Sequence, residues 1–254
     1  MQLDCAQKEN GTYWLSRDDI EQVAVSVLKE YSPHNLECPA PLNTAGLLED
    51  YLGLTVKRKY IGTMESGILG LIVMSDIAEI PSYDDMFRQT VLEETYGTVL
   101  ISACLTGMEN VPRRRYTEAH EGSHYLLHRP YYQKLGEICG CKTANSSAYI
   151  ACRKVELHEK KPKNDIEWLE WQADTLAASL LMPKDIFYFY VRSVIRRHGI
   201  SRGYLIAGAY PDKRQARDII SEIAGTFHVS YRATQIRMLH LGLIKQQSVC
   251  YAAK

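Results

Sequence analysis

The sequence contains no apolar run approaching the roughly 18 residues needed to cross a bilayer. Its first residues, Met1-Gln2-Leu3-Asp4-Cys5, lack the basic start and apolar centre of a signal peptide. The expectation is a cytoplasmic protein with no membrane partner. Net charge is also missing: 30 Lys and Arg balance 30 Asp and Glu, so no global field draws the chain to nucleic acid or anionic lipid. The seven cysteines are an odd number, which fits reduced thiols better than a closed disulfide framework. There is no internal repeat and no low-complexity tract. What remains is an ordinary globular composition, 46% hydrophobic and 24% charged.

The periodicities predict an α+β fold, mostly helical, with a small sheet in the N-terminal half. A helix is expected over 16–31, capped by Ser16, and a second over 44–52 that ends at Gly53. Strand character covers 54–60, 67–74 and 98–102, while 76–94 is ambiguous. A helix should start at Asn110 and stop before Pro130. A long loop of weak periodicity then fills 129–163. From Asn164, with Glu167 three residues on, a strong helix presents Ile166, Leu169, Ala173, Leu176, Ala177, Leu180 and Leu181 as an apolar face and closes at Pro183. Helical patterns resume over 185–197, 214–227 and 231–241. The implied organisation is a tail over 1–15, a core over 16–200, a C-terminal helical segment over 201–244 and a tail over 245–254.

Inside the 110–128 helix lies His120-Glu121-Gly122-Ser123-His124, an H-E-x-x-H run. Imidazoles four residues apart share one helix face, so both can reach a single Zn²⁺, and the Glu beside the first is placed to act as general base toward a water. Tyr116, Ala119, Ser123 and Leu127 flank the pair and turn it inward, and two buried imidazoles without a partner are costly. A catalytic zinc takes three protein ligands and keeps one open position. The metzincin spacing would put a third His at position 130, which is Pro130, so that subclass is excluded. Glu170, between Leu169 and Ala173, fits as a third ligand from a later helix; the plainer alternative is a Glu at the rim of the stripe paired with an Arg. Asp174, one turn on, is a candidate acceptor for a His N–H, with a packing role as the alternative.

Two stretches carry a family resemblance. Arg114 to His128, which contains the pentapeptide, and Glu170-Trp171-Gln172-Ala173-Asp174 running on to Leu181-Met182-Pro183 together resemble the core motifs of the ImmA/IrrE family of metallo-endopeptidases. Residues 49–56 resemble that family's first helix-to-strand junction, and 227–244 its C-terminal helical segment. The resemblance implies a zincin-like fold, His120, His124 and Glu170 as zinc ligands, and Glu121 as catalytic base. It also implies a protein substrate, by analogy a helix-turn-helix transcriptional repressor. The chain departs from the family pattern at Gly122-Ser123 and at Glu118, changes that remove no ligand. The competing class is a non-catalytic zinc-containing regulator that binds a partner protein or DNA.

Two lesser signals complete the reading. Cys139, Cys141 and Cys152, with His158 beyond, offer soft ligands for a second, structural metal, but the spacing is not that of a standard finger, and free thiols are the simpler reading. Residues 229–237 resemble the turn and second helix of a helix-turn-helix, which would offer Arg232 and Arg237 to DNA. A packing face of Ala224, Phe227, Ile236, Leu239 and Leu243 is the stronger reading, so direct nucleic-acid contact is not the expectation.

Overall fold

The computed structural model describes residues 6–62, 66–84, 86–139, 149–152, 162–208 and 212–246. Helix α1 spans Arg17–Tyr31 and opens with a reciprocal cap, in which Ser16 accepts from the Asp19 amide and the Asp19 carboxylate accepts from Ser16. Its buried side carries Ile20, Val23, Ala24, Val27 and Leu28. A short helical turn, α2 (His34–Glu37), follows. Helix α3 (Thr44–Gly46) runs on into a π-helical turn over Leu47–Tyr51. Gly53, in the left-handed region at φ 67, then redirects the chain into the sheet.

The sheet contains β1 (Thr55–Ile61), β2 (Gly70–Val73), β3 (Ile77–Tyr83), β4 (Gln89–Thr95), β5 (Thr98–Ser102) and β6 (Tyr149–Cys152), in the order β4-β3-β1-β5-β2-β6. Only β1 and β5 pair in parallel. Strand β5 is buried along its whole length, and its side chains alternate between two apolar clusters. Val99 and Ile101 join Ile72 and Leu48 on one face, whereas Leu100 joins Leu71, Val73 and Ile80 on the other. The ambiguous stretch 76–94 is a hairpin of β3 and β4 in which alternate residues, Ala78, Ile80 and Ser82, are buried.

Helix α4 spans Val111–Cys139 and contains Pro130, so the expected stop before that residue is overturned. A proline removes one N–H and crowds the carbonyl four residues earlier, at a cost of about 3 kcal/mol. Tertiary contacts beyond Pro130 offset that cost. Gly11, at φ 85, packs so tightly on the Pro130 carbonyl that a Cβ there would lie 2.6 Å from its oxygen. Lys134 Nζ donates to the Glu9 carbonyl at 3.0 Å, and Tyr132 packs against the sheet cluster. The expected loop over 129–163 therefore holds the last turns of α4 and strand β6.

Helix α5 (Asp165–Leu181) starts as its sequence specifies, with Asn164 accepting from the Glu167 amide. Leu169, Ala173, Leu176, Ala177, Leu180 and Leu181 are buried, but Ile166, counted on that face, lies in the first turn and is 56% exposed. After it come α6 (Lys184–Arg197), β7 (Leu205–Ala207), α7 (Asp212–Phe227), α8 (Tyr231–His240) and β8 (Ile244–Gln246). Strands β7 and β8 form a separate two-stranded parallel pair.

Ile219, Ile223, Phe227 and Met238 belong to the same apolar cluster as α1 and α5, so the 201–244 segment shares one core with what precedes it. Residues 6–15 are not a free tail either, because Tyr13 and Leu15 are buried in that core. Among the described residues no helix is long and apolar enough to cross a membrane.

Candidate metal centre

Helix α4 lies across β2, and two glycines set how closely it approaches. A Cβ on Gly70, at the start of β2, would sit 2.9 Å from Glu121 Oε1 and nearer still to the Thr117 methyl group. A Cβ on Gly122 would lie 2.9 Å from Leu48 Cδ2 on the π-helical turn. The small residue inside the pentapeptide therefore lets α4 bed down on the α3 segment. Glu118 is also buried there, accepting from Thr44 Oγ1 at 2.5 Å with Arg114 Nε 3.8 Å away.

His120, Glu121 and His124 are all buried. His120 Nε2 and His124 Nε2 lie 2.9 Å apart. Glu170, from α5, places Oε2 3.3 Å from His120 Nε2 and Oε1 3.5 Å from His124 Nε2, with its side chain 25% exposed. Glu170 is thus partly open to solvent rather than fully within the buried face. His120, His124 and Glu170 bring their ligand atoms within 4.8 Å of one another and could hold a metal ion.

The hydrogen bonds around the two imidazoles fix which nitrogen carries the proton. Asp174 Oδ1 stands 3.0 Å from His120 Nδ1, and an ionised carboxylate only accepts, so His120 carries its proton on Nδ1. On the other side a longer relay runs inward. Gln172 Nε2 donates to the Tyr13 carbonyl at 2.8 Å, which turns Oε1 toward His128 Nε2 at 3.1 Å. His128 therefore donates from Nε2 and presents a lone pair on Nδ1. That lone pair accepts from His124 Nδ1 at 2.8 Å. The Nε2 atoms of His120 and His124 face each other and the Glu170 carboxylate.

Two imidazole nitrogens and one carboxylate thus converge. A proton would relieve one pair; a divalent cation satisfies all three. Four-coordinate zinc at about 2.0–2.1 Å from nitrogen and oxygen requires donor separations of about 3.3 Å, and the observed 2.9, 3.3 and 3.5 Å straddle that value. The residues present fit the metal.

Electrostatics follow the same burial. His124 is held well below the usual imidazole range by burial first, then by His120 and His128. Burial pushes His128 down to about 3, against the opposing effect of its bond to Gln172. Both are neutral at neutral pH, the state that a metal ligand and its relay partner require. Burial pushes Glu121 up to about 8, with His120 opposing and Glu170 adding to the shift. Among the described residues neither Glu121 carboxylate oxygen has a hydrogen-bond partner. An orphaned buried carboxylate is expensive as structure, so it marks a group poised for something absent from the chain itself. The hydroxyl of Tyr132 is held protonated by burial, with smaller contributions from Tyr131 and from the carboxylates of Glu170 and Glu121.

The structure thus brings His120, Glu121, His124, Glu170 and Asp174 together. It adds His128 and Gln172, which the sequence reading did not assign to the site. His128 stands four residues after His124, so its place on the same face was legible; the role of Gln172 depends on a carbonyl 159 residues away. Cys141 and His158 lie outside the described residues, and Cys139 and Cys152 are described only in their backbone, so the suggested second metal site lies there too. Arg237, suggested as a DNA contact, is buried: it pairs with Glu21 at 2.5 and 2.9 Å and donates to the Met182 carbonyl at the end of α5. No family model matches the chain, and no curated protein matches it.

Proposed function

We propose that the protein is a zinc-dependent endopeptidase of the zincin-like, ImmA/IrrE type, with His120, His124 and Glu170 as ligands and Glu121 as general base. The observation that carries this reading is the convergence of two imidazole Nε2 atoms, 2.9 Å apart, with a carboxylate from a second helix. Two histidines and one carboxylate are a donor set suited to zinc, and three protein ligands leave a fourth position open. When bound, zinc would supply Lewis-acid polarisation of a peptide carbonyl and a lowered pKa for water.

The chain's own residues do the rest. Glu121 takes a proton at its carboxylate from the attacking water and returns it to the leaving amine. Its seat against Gly70 and Thr117 fixes the carboxylate beside the ligand nitrogens without tying up either oxygen. Asp174 and the His128–Gln172 relay hold both imidazoles in the ligating tautomer. Regulatory cleavage of a helix-turn-helix repressor remains the substrate suggested by the resemblance in the two motifs.

The test is Glu121→Gln. Loss of proteolysis with zinc retained supports the peptidase; unchanged biological output from that variant supports a regulator that binds a partner without cutting it.

A further inference from the structure

A cleft of about 670 Å³ opens beside the ligand helices, walled by α4 and α5 on one side and α8 with the start of α1 on the other. Asp174, which contacts His120 Nδ1, and Thr117 lie in its wall, whereas His120, Glu121, His124 and Glu170 do not line it. Its charge is one-sided. Arg17, Arg113 and Arg232 all line it, and none has a carboxylate within ion-pair distance among the described residues.

Each guanidinium is differently placed. Arg17 lies over the Trp171 ring at 5.5 Å and contacts His240 Nδ1 at 3.2 Å. His240 is pushed down to about 4 by burial and by the guanidinium groups of Arg17 and Arg237, so it is a neutral acceptor and does not cancel the charge. Arg232 reaches only Gln235, at 3.0 Å, and Arg113 is exposed. A fourth cation, Arg237, is spent on Glu21. Among the described residues of the wall the one carboxylate is Asp174, which already receives His120 Nδ1 and the Tyr116 hydroxyl. Helix α8 also begins here, with Ser230 and Ala233 in the wall, and turns its positive end to the cleft.

Resting on the peptidase reading above, we infer that this cleft receives an acidic stretch of the polypeptide substrate, its carboxylates held by Arg17, Arg113 and Arg232. Guanidinium forks bind carboxylates with charge-assisted, often bidentate hydrogen bonds, and clusters of them are a recurrent means of reading acidic segments. Asp174 both contacts His120 Nδ1 and lines the cleft, so the cleft lies beside the candidate metal centre. Duplex nucleic acid is the weaker occupant, because the site is concave and Arg237 of α8 is turned inward.

The experiment uses zinc-loaded Glu121→Gln protein, which cannot consume the probe, and short fluorescein-labelled peptides of one frame carrying Glu, Lys or no charge. Anisotropy should give the acidic peptide about ten-fold tighter binding than the other two, weakening as salt is raised. Arg113→Ala and Arg232→Ala, both at exposed positions, should each cost about ten-fold for the acidic peptide alone. Equal binding of the three peptides, or a preference that survives both substitutions, would overturn the inference. So would a labelled DNA duplex that binds more tightly than the acidic peptide through the same arginines.

Casein digestion by the zinc-loaded wild type separates the two readings. Casein cleavage together with equal binding of the three peptides sinks the cleft assignment alone, whereas charge-selective peptide binding with no cleavage sinks the peptidase alone.

Discussion

His124 Nδ1 lies 2.8 Å from His128 Nδ1, and through that contact a candidate metal ligand on α4 is tied to Gln172 on α5 and to the Tyr13 carbonyl beyond it. The relay is buried throughout.

Gln172→Leu removes the acceptor that orients His128. Zinc affinity measured by chelator competition should fall by about 10- to 100-fold, the usual effect of losing such an outer partner. An affinity equal to wild type would show that His124 keeps its tautomer without the relay.

Gly70→Ala places a methyl group against Glu121 Oε1 and Thr117. Peptidase activity should drop strongly while zinc stays bound, because the intrusion meets the base and not the ligands. Metal content and casein digestion, read on the same preparation, check this; full activity would mean that β2 shifts freely.

The Glu21–Arg237 pair is buried on both sides and caps the end of α5. Arg237→Met alone leaves an uncompensated buried carboxylate and should cost about 3–5 kcal/mol. Urea denaturation of this variant beside the double variant Glu21→Gln/Arg237→Met measures it, and the double variant should recover part of the loss.

The raised pKa of Glu121 has a definite sign in the metal-free protein. Its folded value is about 8 against an ordinary 4.5, so the folded state keeps a proton that the unfolded chain has released. The stabilisation is complete below about pH 4.5 and is lost as pH rises toward 8, on the order of several kcal/mol across the window. Glu121→Gln stays neutral throughout. The stability difference between chelated wild type and this variant should therefore widen, against wild type, from pH 4.5 to 8; a constant difference would mean that Glu121 is ionised in the fold.

Much of the candidate site was legible because the helical repeat dictates it. Residues four apart share a face, which placed His120 with His124 and Glu170 with Asp174 before any coordinate was known. The capping signals of Ser16 and Asn164 were equally local, and both helices begin where those side chains put them. The misreadings share one cause, which is that distant contacts overrode a local rule. Pro130 should end a helix, yet Gly11 and Glu9 hold the continuation in place. Strands β7 and β8 have three residues each and are far apart in sequence, so no periodicity announces them. Arg237 is no misreading, since packing is the stronger expectation for its segment, but its partner Glu21 is supplied only by the fold.

Everything turns on whether His120, His124 and Glu170 hold one metal ion between them. The most direct measurement is metal content after exhaustive dialysis, for the wild type beside His124→Ala and Glu170→Ala, with folding checked by circular dichroism. The expected result is one zinc per wild-type chain and little or none in either folded variant. Wild-type zinc occupancy in both variants would contradict the site.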